Sequence, residues 1–486
     1  MSKKLGGVLA LAAMCALSLF LVNCGSSSSR PSGVLYVLTQ GSNGLGNNVS
    51  SFAMDLDTGN LALVNSNAST CPTAATEGNP APCGLPLDIL LDPAGATAFV
   101  LNQGTPCVHQ GIVCVSGSSS TPPTIYPYTV NSDGSLSAPG SAISWTTAPD
   151  TAIEMIRDAA GQFLFVIDSG LYPAPPACPV IATAAASSDQ LTQFTGCPSI
   201  SVFSMKLGSP TTLTYVSQSA TTQSPLFLSK TPTAMSALAG ASSQELLFVT
   251  NNYDLCTVSC QQPGGATGPF PPNDDTVSVY VVSSTGILAE QTNSPYTVAA
   301  ADPISVQAVN TNPAQQNSGG LFVYVGSEDS TGGHLYPFQI CTTVNLTNCP
   351  TQQDVDNNLL VPLATCTEPS CDIPPSSVGQ DPIGMVVDPT NNFLYVMAEG
   401  TSQVFGFRIN SAAGTLGALS PANLSTGSQP VSLALHPSVN NTGQFLYTSN
   451  STSDNISGFT LGTTSGAMSN PINVLAPSAP SGMTVH

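Results

Sequence analysis

The chain has 486 residues, of which only 7% are charged: 27 are Asp or Glu and seven are Lys or Arg, while 42 Gly and 41 Pro punctuate the rest. So few cations exclude nucleic acid as a partner, because phosphate backbones are held by Lys and Arg. So many turn-forming residues leave little room for long helices, and the 41% hydrophobic share is enough for a core.

The first element is a leader. Lys3 and Lys4 precede an apolar run from Val8 to Val22, and Cys24 follows with Gly25 and a serine tract. The run is too short to span a bilayer comfortably, and its flanks fit a signal peptide, so the chain is expected to leave the cytoplasm. Leu21-Val22-Asn23-Cys24 resembles a bacterial lipobox, although Asn23 departs from the small residue usual there. The resemblance implies that Cys24 is lipidated and becomes the first residue of the mature chain; an ordinary secretory signal is the alternative. The expected arrangement is a signal peptide over 1–23, a lipidated Cys24 with a Ser-rich tether through 32, and one domain over 33–486. Without Lys3 and Lys4, five cations face 27 acids, a net charge of −22.

Beyond the leader the chain repeats. A strand-like run recurs as VLYVLTQ at 34, AFVLNQ at 98, FLFVIDS at 163, LLFVTNN at 246, FVYVGSE at 322, FLYVMAE at 393 and FLYTSN at 445. Each copy has one aromatic at the same register: Tyr36, Phe99, Phe165, Phe248, Tyr324, Tyr395 and Tyr447. A second column, in the run that follows, holds Phe52, Tyr128, Phe203, Tyr280, Phe338, Phe407 and Phe459. Two columns of seven predict seven repeats of one antiparallel unit. A preceding run opens on Pro86, Pro232, Pro303, Pro382 and Pro430, with a weaker copy from Ala152. The first repeat lacks it, and the C-terminal PSGMTVH from Pro480 supplies the missing piece. This predicts an all-β, seven-bladed propeller of four-stranded antiparallel blades, closed when the C-terminal strand joins the first blade.

The run LFVTN at 247–251, and the pattern P-x5-[DH]-P followed by LYV, resemble the YVTN or lactonase family of seven-bladed β-propellers. That resemblance implies the propeller fold and raises lactone hydrolysis as an activity. Relatives include hydrolases of phosphogluconolactone and carboxymuconate lactonizing enzymes, whose anionic substrates need cationic pockets. Here Arg30 falls in the tether, Arg408 on a third strand, Lys206 at a third-strand end and Lys230 before an inner strand. Only Arg157 falls on an inner strand, at its hairpin end, so an anionic lactone would lack a clamp.

Spacings between second-strand aromatics are 63, 66, 83, 76, 71 and 52 residues, so most repeats carry insertions. Apart from Cys15 and Cys24, twelve cysteines sit in them as close couples: Cys71 with Cys83, Cys107 with Cys114, Cys178 with Cys197, Cys256 with Cys260, Cys341 with Cys349, and Cys366 with Cys371. An even count in an exported chain favours local disulfides; a structural metal is the alternative, without CxxC spacing or a histidine directly adjacent to a cysteine to support it. Five of the six couples belong to links that emerge on one face of a propeller.

No nucleophile elbow, zinc helix or phosphate loop is present. Two residues after the strand-start position, blades two and three carry Asp88 and Glu154, where the others have Ala234, Ser305, Gly384, Ser432 and Gly482. Two adjacent carboxylates on a small neutral ring could hold Ca²⁺, act as acid and base, or stand as solvated acids in a wet channel. Asp302, Asp381, Glu328 and Glu399 could extend an acidic rim. His436 and His486 take positions held elsewhere by Asp92, Asp158 and Asp388, as cappers of hairpins. The expected role is a monomeric, surface-anchored propeller that binds a small molecule or an envelope protein or glycan through its loop-bearing face. The alternative is a lactonase-like hydrolase acting on a neutral substrate in the channel.

Overall fold

The computed structural model describes residues 33–40, 47–70, 85–103, 109–110, 113–114, 123–143, 152–168, 198–216, 226–228, 231–239, 244–252, 275–298, 302–311, 320–329, 332–341, 359–363, 377–437, 443–476 and 478–486. Among them every regular element is a strand. The strands form seven blades around a channel. The inner strands are Pro480–Val485 in blade one, then Pro86–Leu91, Ala152–Arg157, Thr231–Ala239, Pro303–Asn310, Gly384–Val387 and Pro430–His436 in blades two to seven. Each touches the next, and Pro480–Val485 touches both Pro430–His436 and Pro86–Leu91, so the ring is closed.

Closure is made by the C-terminal strand. Pro480–Val485 pairs antiparallel with Val34–Thr39, with Tyr36 opposite Thr484 and Val37 opposite Met483. Val34–Thr39 pairs in turn with Asn48–Met54, and that strand with Leu61–Ser69. The two ends of the described chain therefore share one sheet, which leaves no inner edge unpaired at the seam.

Four blades show the expected four strands in simple order and three do not. Blade two has three strands, Pro86–Leu91, Thr97–Asn102 and Thr124–Thr129, and its fourth position is reduced to bridges from Ile125 to Ile143 and from Val130 to Leu136. In blade three the outer strand is broken into Thr212–Tyr215 and Leu226–Phe227, both on Ser199–Lys206, and blade four is broken likewise. An outer strand has one neighbour only, so interruptions there disturb the fewest contacts.

The core lies between blades. All seven second-strand aromatics are fully buried, and the seven third-strand aromatics are at most 5% exposed. Second strands are buried along their whole length, as in FLYVMA of Phe393–Ala398, because both faces of a blade pack on neighbours.

Candidate functional site at the channel

Each described inner strand with a proline among its first two residues has a register shift beside it. The shift lies between Pro86 and Asp88, Pro232 and Ala234, Pro303 and Ser305, Pro430 and Ser432, and between the pairs made by Pro480 and Met483. The weaker third copy shifts between the pairs made by Ala152 and Glu154. A proline cannot donate to the ladder, and a bulge beside it re-aims the next side chain. Asp88 and Glu154 are the side chains so re-aimed in blades two and three.

Both reach across to the next blade. The Met155 amide donates to Asp88 Oδ2 at 3.2 Å, and the Ile89 amide donates to Oδ1 at 2.8 Å. The Met235 amide donates to Glu154 Oε2 at 2.6 Å, while Oε1 takes no hydrogen bond from a described residue. Ser432 does the same work between blades seven and one, accepting from the Met483 amide at 3.0 Å. Ser305 donates instead to the Pro382 carbonyl. Gly482 leaves room for this packing, since a Cβ there would stand 2.7 Å from the Leu87 carbonyl and 3.0 Å from the Asp88 Cα. An inner strand has unpaired amides on its channel side, and these side chains satisfy them.

Two of these acceptors are carboxyl groups, and burial penalises their charge. Asp88 is pushed up to about 6 by desolvation, partly opposed by its two amide donors. Glu154 is pushed up to about 8, first by desolvation and then by the charge of Asp88. Near neutral pH the two groups disfavour a second negative charge, and the proton they share rests more readily on Glu154 than on Asp88. One group can give a proton while its neighbour takes one.

Calcium fits this pair poorly. Among the described residues no three His, Cys, Asp or Glu side chains converge as a metal group, and three of the four carboxyl oxygens already accept amides. Ca²⁺ takes six to eight oxygens.

Residues 384–483 match the family described as "Lactonase, 7-bladed beta-propeller". The match covers blades six and seven and most of the closing strand. The likeness in fold to solved structures extends over the whole ring. The periplasmic gluconolactonase of Pseudomonas aeruginosa is similar, with a TM-score of 0.54 at 15% identity, over 93% of this chain and 98% of that one. A provisionally assigned 6-phosphogluconolactonase of Bacteroides fragilis gives 0.53 at 11% identity, over 95% and 99%. A protein from Lactobacillus plantarum gives 0.52 at 12% identity, over 93% and 99%. At such identities the likeness is one of fold. No curated protein sequence matches the chain.

The other sequence-derived candidates separate by face of the ring. Asp92, Asp158 and Asp388 do cap hairpins: each Oδ1 accepts two amides, such as those of Asn392 and Phe393 at 2.8 Å for Asp388. His436 differs from them, being buried with Nδ1 unpartnered, and burial and then His486 hold it below its ordinary value. On the loop face Asp302 and Asp381 take φ of 51° and 53°, the Asp381 amide donates to Glu328, and burial and then Asp381 raise Glu399. Asp302, Asp381 and Glu399 lie in the links between strands, and Glu328 lies near the end of the strand Leu321–Asp329.

Arg157 ends its inner strand at the hairpin face as expected, Lys206 is exposed there, and Arg408 stacks on Phe393 at 4.7 Å. Arg30 and Lys230 lie outside the described residues, as does Cys24. Cys341 is fully buried and disulfide-bonded. Cys114 sits in a two-residue strand paired with His109–Gln110, and the other ten cysteines of the proposed couples lie outside the described residues. Sequence reasoning missed one coupling: Glu245 is pushed up to about 7 by burial and by Asp158 of the preceding blade. A second-strand Glu beside a hairpin Asp was its only trace.

Proposed function

We propose that the chain is a lactonase-type hydrolase that opens a neutral lactone at the channel, with Asp88 as general base and Glu154 as general acid. The observation that carries this reading is a pair of coupled carboxyl groups, one tending to be ionised and one protonated at neutral pH, on a ring of otherwise small residues. In the reaction Asp88 takes a proton from water, whose oxygen adds to the lactone carbonyl. The ring C–O bond then breaks as Glu154 gives its proton to the departing ring oxygen, leaving one hydroxy acid. The family match at blades six and seven supports the reaction class. The substrate class follows from charge. The described cations Arg157, Lys206 and Arg408 all belong to the hairpin ends of their strands, so nothing described at the pair would clamp a phosphate or carboxylate, and an unphosphorylated sugar lactone is the better fit.

The test is hydrolysis of glucono-1,5-lactone and of its 6-phosphate by the purified chain, corrected for spontaneous opening. We expect a bell-shaped kcat profile between roughly pH 6 and pH 8, and kcat/KM at least about tenfold lower for the phosphate. Glu154→Gln and Asp88→Asn should each lower kcat by roughly 10²- to 10⁴-fold. Folded variants that turn over the lactone at the parent rate would sink the assignment.

A further inference from the structure

The outer strand of blade one is unlike the other edges of the ring. Leu61–Ser69 runs nine residues as LALVNSNAS, without a proline or a charge. The described outer strands of blades four to seven contain Glu290, Pro362, Pro421 and Pro471, the kinds of residue that keep an edge in water, and blade three offers only short pieces. Blade one shows adjacent exposed apolar residues, Leu63 at 56% and Val64 at 37%, beside exposed Ala62, whereas the exposed Leu475 of blade seven stands alone between partly buried Val474 and Ala476. Strand addition by another chain explains them poorly. The register runs Asn65 opposite Ser51 and then Leu63 opposite Phe52, so Val64 is the extra residue of a bulge that interrupts the ladder.

The chain enters the ring in the same blade. Val34 pairs with Ala53, and Ala53 pairs with Ala62, so the apolar edge lies two strands, or ~10 Å, from the point of entry. Val34 lies ten positions after Cys24, and whatever its conformation that stretch reaches at most ~35 Å. An acyl group on Cys24 would hold blade one against the bilayer and keep the far side of the ring away from it. The edge that comes first to the lipid has no acid in its nine residues, in a mature chain of net charge −22 that an anionic surface would otherwise repel.

We propose that the outer strand of blade one is the membrane-contacting surface of this protein, with Leu63 and Val64 resting at the headgroup level of the leaflet that holds the lipidated Cys24. The inference is independent of the hydrolase reading and rests on lipidation of Cys24. Contact at headgroup depth leaves water to satisfy the outward-facing amides and carbonyls of the strand, which the hydrocarbon interior could not do.

Tryptophan reporters test it, because the parent has a single Trp, at 145. Lipidated Leu63→Trp, Val64→Trp and Ile287→Trp proteins, the last on blade four, are bound to vesicles of phosphatidylethanolamine and phosphatidylglycerol with and without brominated acyl chains. Expected is about twofold quenching of the added Trp at 63 or 64 and none at 287 or in the parent. A vesicle-bound protein whose Trp at 63 and 64 is quenched no more than that at 287 overturns the proposal. So does a dimer that Leu63→Asp converts to monomer while the Trp stays unquenched, since the edge would then join two copies. Failure of the parent to bind vesicles, or undiminished binding by Cys24→Ala, overturns the anchor and the proposal with it.

Discussion

Glu154 combines a short hydrogen bond from the Met235 amide with an environment that disfavours its charge. Its folded value, about 8, lies above the ordinary 4.5, so folding favours the protonated form. The stability this supplies is fully present below the ordinary value and is lost as pH rises through about 8; Asp88 behaves likewise between 3.8 and about 6. Glu154→Gln keeps an oxygen for the Met235 amide and removes the titration. We expect it to match the parent at pH 5 and exceed it at pH 9 by on the order of 1–3 kcal/mol, discounted for channel water. Thermal melts of both proteins across that range decide the matter, and parallel pH dependences would refute it. A variant that is more stable and less active is the usual mark of a site held at some cost to the fold. Asp88 and Glu154 could be found in the sequence because they occupy one register of a repeat. Their amide partners could not, because Met155 and Met235 meet them only through the packing of separate blades.

Between blades, the element that repeats in the sequence is also the one that latches. Tyr36, Tyr324, Tyr395 and Tyr447 donate their hydroxyls to the carbonyls of Gly134, Gly414, Gly466 and Gly59, each in the hairpin between strands three and four of the next blade. All four glycines have φ between 68° and 85°, where a side chain would be strained. Two residues before three of these tyrosines stand Phe322, Phe393 and Phe445, whose rings occupy the space a Cβ on Gly414, Gly466 or Gly59 would need. The F-x-Y spelling of a second strand is thus a description of its neighbour's turn. Blades two, three and four have Phe99, Phe165 and Phe248 instead, and polar bonds serve those seams: Thr211 donates to Asp92, the Met235 amide to Glu154, and Thr233 to the Pro303 carbonyl. Tyr395→Phe should strand the Gly466 carbonyl and cost about 1–2 kcal/mol in urea denaturation. Phe165→Tyr should gain nothing comparable, and equal effects of opposite sign would remove the latch as an explanation. The same logic marks the limit of sequence reading. Second and third strands are gripped from both faces and keep their pattern, whereas outer strands such as Leu288–Glu290 touch one neighbour and lose it, so the reduced fourth position of blade two had no signal to find.

At the scale of the whole molecule, one strand converts a row of blades into a ring. Met483 is 6% exposed and packs with Leu35, Val37 and Tyr447, while its amide donates to Ser432 of blade seven. The same strand reaches blade two, where Ser481 donates to the Pro86 carbonyl at 3.3 Å. It therefore ties three blades at once, and every other seam is under the constraint that the ring be closed. Without it the blades become a linear array, each holding only its neighbours, and such arrays lose all-or-none unfolding. Removal of residues 480–486 should turn a single urea transition, followed by circular dichroism and by dye binding to exposed apolar surface, into a broad one in which the two signals no longer coincide. Met483→Asp should act in the same direction by burying an unpaired charge at the seam, at about 3–5 kcal/mol. A truncated chain that unfolds in one step at the parent midpoint would mean that the closing strand fills a place in blade one without carrying tension around the circle. The Asp88–Glu154 pair, one seam away, is then the sensitive reporter: if closure sets the spacing of the inner strands, truncation should abolish lactone turnover before it abolishes the fold.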